Sequence, residues 1–303
     1  MTYMIDKDAE KMKIIVDTDI GSDIDDSLCL AYLLKNPFCE IMGITTCSSE
    51  PEKRAEIVDS ICQYVERKIP IFPGLSMPII GRQLQVKVHQ YDVVDRFEHR
   101  KKFPANSAIE FMKKTIEAHP HQITIIAIGP LTNIGALFAA YPHLIPLVKE
   151  VSVMGGSFFP EAISFIAEEW NIKNDAMAAK IVFDSGVALR VAGLDVTMKL
   201  KTSCDEFVTS LHSRVMEPIV IYAMKFRERT NDMYFHDPLV AAFLFNEDIC
   251  TFKRGRIHVG IGADWGRTYF VEDEDANTLV ADRIDVNRFF EHYYKIVNDD
   301  EVL

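Results

Sequence analysis

Short apolar runs alternate with amphipathic stretches along the first two thirds of the chain, as in KIIVD (residues 13–17) and ITIIAI (residues 123–128). The pattern predicts strands at 13–17, 40–46, 69–72, 123–128, 148–154 and 188–191, and helices at 25–35, 52–66, 108–118, 131–140 and 176–183. Short apolar strands separated by helices of about ten residues are typical of βαβ units on a parallel sheet buried on both faces. Ligands of such sheets bind where the strands end, so the residues that follow each strand are of most interest.

The last third of the chain has a different pattern. Residues 206–245 are predicted to be mostly helical, and shorter strands at 256–259, 268–271 and 278–281 precede a helix at 286–296. The expected fold is therefore an open, mostly parallel α/β sheet flanked by helices, with a helical second half, in one domain over residues 1–303. Residues 74–104 form a long polar segment, and because loops of that length are uncommon unless functional, we expect a lid or an insertion there.

Composition narrows the classes of function. The chain has 33 basic and 45 acidic residues and a net charge of −12, which argues against a nucleic-acid polymer as partner. Its six cysteines form no C-x-x-C pair, so we expect buried free thiols in a reducing compartment. The first residues lack the basic and apolar parts of a signal peptide, and no apolar run could span a membrane. We therefore expect a soluble cytoplasmic protein with no membrane partner.

Five aspartates follow the first predicted strand: Asp17, Asp19, Asp23, Asp25 and Asp26. Helix capping explains one or two of them, such as Asp23 and Asp25, but not Asp17 and Asp19, which lie upstream of the helix. Carboxylates this close repel one another, and their pKa values rise unless a cation is present. Only oxygen ligands are offered here, so the pattern favours a site for a hard ion, Ca²⁺ or Mg²⁺.

Other motifs follow later strands or begin helices. Each has an ordinary explanation when taken alone: turn chemistry for G-P-L-T-N, helix capping for Asp237, and a surface position for His236. No G-x-G-x-x-G follows a strand and no P-loop occurs, so nothing supports a dinucleotide or P-loop site. The motifs are residues 129–133 (GPLTN), 154–156 (MGG), 169–171 (EWN) and 236–239 (HDPL).

Together with D-x-D-x-G-…-D-D at residues 17–26, these motifs in this order resemble the inosine–uridine-preferring nucleoside hydrolase family, from about Lys13 to Leu239. The resemblance implies the nucleoside hydrolase fold and calcium-dependent hydrolysis of the N-glycosidic bond of ribonucleosides to ribose and free base, in nucleoside catabolism or salvage. It suggests a homodimer or homotetramer that acts on a small nucleoside.

The resemblance also implies roles for particular residues. It assigns calcium to Asp19, Asp26, Asp237 and the carbonyl oxygen of Ile128, and it assigns the leaving-group acid to His236. Asp19 is the preferred general base. The substrate-binding residues that we expect are Asp25 or Asp23, Glu50, Met154, Glu169 and Asn171.

The chain departs from the family pattern in two respects. The usual spacing is D-x-G-x-D-D, and the two extra residues here leave open whether Asp23 or Asp25 contacts the ribose. Glu50 stands where the family usually has Asn, and no Asn occurs among residues 157–168, where another is expected. Both amides would touch the sugar, so it stays open whether the ribose is modified. Base preference is also open, with His89, Arg227 and Tyr234 as weak candidates.

The chemistry of the reaction fits these residue types. Breaking a glycosidic C–N bond develops positive charge on the ribose, which acidic residues stabilise, and negative charge on the base. Calcium would orient water and lower its pKa, Asp19 would take the proton, and His236, with an ordinary pKa near about 6.5, would protonate the base.

Two other functions are considered. A haloacid-dehalogenase-like phosphatase also has a strand that ends in D-x-D, but the usual continuation has Thr or Val at the position of Gly21, and no later lysine fits. A relative that binds a nucleoside or sugar without turnover is conceivable because of Glu50 and the missing amide.

Overall fold

The computed structural model describes residues 10–159, 168–210 and 213–299. The strands are β1 (Met12–Thr18), β2 (Cys39–Thr46), β3 (Ile71–Pro73), β4 (Ile123–Ala127), β5 (Glu150–Met154), β6 (Leu189–Ala192), β7 (Lys201–Ser203), β8 (Asp232–Tyr234), β9 (Cys250–Val259), β10 (Thr268–Glu272) and β11 (Thr278–Ile284). The helices are α1 (Asp25–Lys35), α2 (Pro51–Tyr64), α3 (Ala108–Ala118), α4 (Thr132–Ala140), α5 (Trp170–Asn174), α6 (Ala176–Asp184), α7 (Leu194–Thr197), α8 (Cys204–Thr209), α9 (Met216–Arg227), α10 (His236–Phe245) and α11 (Val286–Val297). Short 3₁₀ helices cover His89–Arg96, Pro142–Leu147, Glu247–Ile249 and Gly262–Asp264.

A nine-stranded sheet organises these elements, in the order β10-β9-β11-β6-β5-β4-β1-β2-β3. From β3 to β11 the neighbouring strands are parallel, and β9 runs antiparallel to both β11 and β10. The mostly parallel α/β architecture predicted from the apolar runs is therefore confirmed. The organisation of residues 1–303 as one domain stays a prediction.

The apolar run of β1 is continuous because both faces of this central strand are buried. Ile14 and Val16 belong to a hydrophobic cluster that includes the buried sides of α1 and α10. Ile15, whose side chain points the other way, belongs to a second cluster with residues of α4 and α6. Helices thus cover both faces of the sheet, and the strand ends remain the free edge for chemistry.

The predicted elements up to residue 192 are all present, with ends within two residues of those expected. The prediction of a mostly helical segment at 206–245 is confirmed, because α8, α9 and α10 occupy most of it. The three-residue strand β8 interrupts these helices and pairs with β7, which precedes the segment, as a separate two-stranded sheet that was not predicted. The short helices α5 and α7 were not predicted, since they are shorter than the periodicity that marks an amphipathic helix.

Part of the polar segment 74–104 packs against the rest of the fold. It contains the 3₁₀ helix His89–Arg96, in which Gln90 and Val94 are buried. That helix packs against α2 and α9. A role as a lid stays a prediction.

The carboxyl ends of β1, β4 and β5 meet at one edge of the sheet. The approach of β4 to β1 there requires glycine: a Cβ atom on Gly129 would lie 2.8 Å from the backbone nitrogen of Asp19 and 3.0 Å from its Oδ1. The glycine thus lets the turn after β4 press against the aspartates after β1. In the described ranges, no helix combines the length and apolarity needed to cross a membrane.

Candidate active site

A cavity of about 490 Å³ opens at the carboxyl edge of the sheet. Every predicted site residue except Glu50 lines it: Asp19, Asp23, Asp25, Asp26, Ile128, Met154, Glu169, Asn171, His236 and Asp237. Residues that are as far apart in sequence as Asp19 and Asp237 therefore share one pocket. Its volume suits a ligand of nucleoside size.

Three carboxylates form the acidic end of the cavity. One oxygen from each of Asp25, Asp26 and Asp237 lies within 4.8 Å of the other two, and all three residues are buried. Asp25 and Asp26 occupy the first turn of α1 and Asp237 that of α10, and these helices pack against each other. The helix N-termini favour negative charge at this point.

Few protein donors serve these three carboxylates. Thr18 donates a hydrogen bond to Asp26, whereas no side chain in the described ranges donates to Asp25 or Asp237. Burial raises the pKa of each of the three well above its usual range, and the charges of neighbouring aspartates raise it further. A cluster of buried carboxylate oxygens with so few hydrogen-bond donors fits a hard divalent cation.

Asp19 and Asp17 play different parts. Asp19 lines the cavity, and burial raises its pKa while the Arg54 guanidinium opposes that rise. Asp17 is not among the described lining residues; its Oδ1 accepts hydrogen bonds from Thr45 (2.6 Å) and Asn133 (2.8 Å). Burial raises the pKa of Asp17 to about 7. Asp17 thus ties β2 and α4 to the end of β1.

Glu169 and Asn171 form a second wall of the cavity. Glu169 caps α5: its Oε1 accepts from the backbone N–H of Asn171 (2.8 Å), and its Oε2 accepts from those of Ile172 (3.0 Å) and Gly156 (3.2 Å). Burial nevertheless raises the pKa of Glu169 to about 7. The Asn171 amide donates to the carbonyls of Ile128 and Met154, both at 3.3 Å, so this wall joins the ends of β4 and β5.

His236 lies at the start of α10 beside the acidic end. Its Nδ1 is 2.7 Å from Oγ1 of Thr197, and its ring stacks on Tyr234 with centroids 5.2 Å apart. Burial lowers the pKa of His236 to about 4, so the expectation of an ordinary pKa needs correction. The imidazole is neutral at neutral pH in the free site.

Glu50 is not among the described residues that line the cavity. It precedes α2 with a φ of 52° and forms an ion pair with Lys53. The aspartates that follow β1 therefore line the cavity, whereas Glu50, which follows β2, does not. The family's second amide position, within 157–168, falls largely on residues 160–167, which lie outside the described residues.

Sequence reasoning missed several lining residues. Ser22, Gln85 and Arg229 meet at the cavity: Gln85 donates to the Ser22 hydroxyl (2.7 Å) and Arg229 to the Ser22 carbonyl (3.0 Å). The length and polarity of segment 74–104 were the signal for Gln85. Arg229 lies in segment 216–234, which was expected to contribute to base preference, although the residue itself was not singled out. The weak candidates His89, Arg227 and Tyr234 do not line the described cavity. Other missed residues are Glu168, Trp170, Lys173, Leu194 and Met198.

Comparison with known proteins decides the family. The sequence model described as inosine-uridine preferring nucleoside hydrolase matches residues 14–291. The chain belongs to this family. The expectation from the motifs is confirmed, and the match extends well beyond the last of them, at Leu239.

Curated relatives agree with the assignment. Uridine nucleosidase 1 of Arabidopsis thaliana is 30% identical over 266 residues, which cover 82% of this chain and 78% of the relative. The pyrimidine-specific ribonucleoside hydrolase RihB of Shigella flexneri is 29% identical, with 93% and 95% covered.

Solved structures share the fold. A purine-preferring ribonucleoside hydrolase from Gardnerella vaginalis superposes with a TM-score of 0.81 at 23% identity, covering 94% of this chain and 98% of that one. A plant nucleoside hydrolase, PpNRh1, gives 0.80 at 22% identity, with 95% and 99% covered.

The protein is therefore a nucleoside hydrolase, an enzyme that cleaves the N-glycosidic bond of ribonucleosides. The phosphatase alternative is wrong, because the family match covers the whole aspartate motif. The family is in general metal-dependent, and Asp25, Asp26 and Asp237 are residues that could hold the ion.

Proposed function

We propose that this nucleoside hydrolase releases the base of a ribonucleoside by attack of a water molecule, with calcium as its metal. Asp19, Asp26, Asp237 and the carbonyl oxygen of Ile128 hold the ion, Asp19 is the general base and His236 is the leaving-group acid. One observation carries the proposal: Asp26 and Asp237, two of the proposed ligands, converge with Asp25 as buried carboxylates in the cavity, and among the described residues Thr18 is the one side chain that donates a hydrogen bond to any of them.

The oxygen ligands of this end of the cavity match the preference of calcium for six to eight oxygens. Calcium bound there supplies a fixed positive charge that orients water and the ribose hydroxyls and lowers the pKa of that water. The Ile128 carbonyl lies just beyond β4, where the strand ladder has ended, and Asn171 is its hydrogen-bond partner.

Asp19 is suited to receive the proton of the attacking water. It lines the cavity and is one of the proposed calcium ligands, so its carboxylate would lie close to the water that the ion orients. The Arg54 guanidinium holds its backbone in place from below. General base catalysis by such a group contributes about 10²- to 10⁴-fold to the rate.

The remaining wall residues bind the sugar. Asp25 or Asp23 accepts hydrogen bonds from ribose hydroxyls, and Glu169, Asn171 and Met154 bind the sugar from the second wall. The carboxylates are fixed before the substrate arrives, so their field stabilises the positive charge that develops on the ribose. We keep Glu50 out of this set because of its ion pair with Lys53.

His236 serves the departing base in its neutral form. If the Thr197 hydroxyl donates to Nδ1, the ring carries its proton on Nε2, which is then free to donate. This N–H donates a hydrogen bond to the negative charge that grows on the base as the C–N bond breaks. Transfer of a whole proton takes the imidazolium form of His236, which gives the proton to the base and returns to the neutral imidazole.

Uridine is the first substrate to test, because two curated relatives are named as a uridine nucleosidase and a pyrimidine-specific hydrolase. A role in nucleoside salvage, a cytoplasmic location and a homo-oligomeric state are further parts of the proposal.

The test is a panel of purine and pyrimidine ribonucleosides assayed for released ribose and base. Each assay is run before chelation, after exhaustive chelation, and after calcium or magnesium is returned. We expect activity that chelation abolishes and calcium restores best. Undiminished turnover after chelation would contradict the metal mechanism, and tight binding of nucleosides without any base release would favour a non-catalytic relative.

A further inference from the structure

Arg54 is a buried cation beneath the aspartate loop. It lies in the first turns of α2 and is 0% exposed, although arginine is among the residues least often buried. None of the ion pairs in the described ranges involves it. Its charge is met by oxygens of the neighbouring loops instead.

The guanidinium of Arg54 gathers the backbone of the loop after β1. Nη1 donates to the carbonyl oxygens of Asp19 and Ile20 (3.0 Å to Ile20) and to the Ser22 hydroxyl (3.1 Å). On its other side, Nε donates to the carbonyl of Ser49 at 2.8 Å. The planar fork therefore joins the loop after β1 to the loop after β2.

This loop is two residues longer than the usual D-x-G-x-D-D spacing, which explains its need for support. It turns at Gly21, where φ is 108°, and then leads through Ser22 and Asp23 into α1. Gln90, also fully buried, holds the far side: its Nε2 donates to the Asp23 carbonyl at 2.5 Å. The longer loop thus depends on side chains from outside it.

We infer that Arg54 is a positioning residue that fixes the longer aspartate loop and, through it, the place of the Asp19 carboxylate at the metal site. Without the guanidinium, the buried carbonyls of Asp19 and Ile20 have lost their donor, and the loop shifts to find another. This inference rests on the proposed function insofar as it takes Asp19 to be a metal ligand.

The alternative role for Arg54 is purely electrostatic: its charge offsets the crowded aspartates. The two roles predict opposite changes in calcium affinity when Arg54 is replaced. A positive charge near a cation site repels the cation, so removal of charge alone tightens calcium binding. Loss of positioning weakens calcium binding. Replacement of residues that orient metal ligands typically lowers metal affinity by about 10- to 100-fold.

The experiment measures calcium affinity by titration calorimetry on chelator-treated wild type, Arg54→Gln and Arg54→Lys, with circular dichroism as the check of folding. Arg67→Gln is the matched control, because the Arg67 guanidinium also donates to a backbone carbonyl, that of Leu34 (3.2 Å), but not in this loop. We expect both Arg54 variants to bind calcium about 10- to 100-fold more weakly and Arg67→Gln to bind like the wild type.

Calcium affinity in a folded Arg54→Gln that equals or exceeds the wild-type value would overturn the inference. If Arg54→Gln does not fold, Arg54→Lys decides: it keeps the charge but loses the fork, so wild-type affinity would assign the role to charge alone. Failure of the wild type to bind calcium is a separate outcome, since it would contradict the proposed metal site before any variant is compared.

Discussion

The two walls of the cavity bury carboxylates to the same depth but treat them differently. Asp26 and Glu169 are each 4% exposed. Three backbone N–H groups donate to Glu169, whereas in the described part of the chain Thr18 is the one side chain that donates to Asp26, which lies close to Asp25 and Asp237. Burial by itself therefore does not distinguish the proposed metal site from the other wall. The shortage of hydrogen-bond donors among crowded carboxylates does.

The walls also differ in how the chain builds them. Glu169 finds two of its three donors within the next three residues, because it caps the helix that it begins. The acidic wall instead needs α1 and α10, whose carboxylates are far apart in sequence, to meet at their N-termini. One wall is local structure and the other is a product of packing.

The largest effect is expected from loss of the general base or of the metal. Asp19→Ala should lower base release by about 10³-fold or more, and chelation should do the same to the wild type. The fold should persist in both cases, because β1, which ends just before Asp19, is held by the core on both faces. Released base, with circular dichroism as the folding check, tests this; full activity in either case would show that the acidic wall is not catalytic.

A direct comparison of the walls comes next. Asp237→Asn should weaken calcium binding by more than about 100-fold, since it removes a carboxylate that binds the ion itself. Glu169→Gln should keep the calcium affinity but lower the melting temperature, because an amide offers one acceptor oxygen for the three N–H groups. Calorimetric and thermal titrations separate the two results, and equal loss of calcium affinity would remove the contrast between the walls.

A smaller effect is expected from His236. His236→Ala should slow release of a poor leaving group such as a natural base by about 100-fold, in the range of general acid catalysis. Release of p-nitrophenolate should change far less, because that group leaves without a proton. Rates for the two substrates measured side by side give the answer, and equal slowing would rule out the role of leaving-group acid.

The smallest effect is expected at Glu50. Glu50→Gln should change kcat/KM by less than about twofold, because its side chain pairs with Lys53 outside the cavity and exposed ion pairs contribute little. Steady-state kinetics on uridine measure this. A large rise in KM would place Glu50 in the substrate site after all.

The fold was largely readable from the sequence because its strands are buried on both faces. A strand that is buried on both faces needs apolar residues at every position, which produces unbroken apolar runs such as ITIIAI. Elements shorter than a periodic pattern, such as α5, α7, β7 and β8, could not be read, since tertiary packing rather than periodicity holds them.

The candidate site was readable as a set of residues but not as an arrangement. The aspartate motif and H-D-P-L pointed to Asp19, Asp26 and Asp237, and all three line the cavity. Glu50, expected at the site from its position after a strand, pairs with Lys53 instead, and Arg229 was not singled out within the segment 216–234 that was expected to contribute. The position of a residue after a strand predicts where its backbone lies, but it does not predict which partner a long side chain contacts.

The sequence by itself determined the order of the longer strands and helices, the excess of oxygen ligands after β1, and the family. Only the tertiary structure decided that Asp25 joins Asp26 and Asp237 in one cluster, that His236 is neutral, and that the buried Arg54 supports the aspartate loop. The physical reason is that apolar patterns are local and repeat along the chain. Charge, pKa and metal affinity depend on distances and burial that exist only after distant segments have packed together.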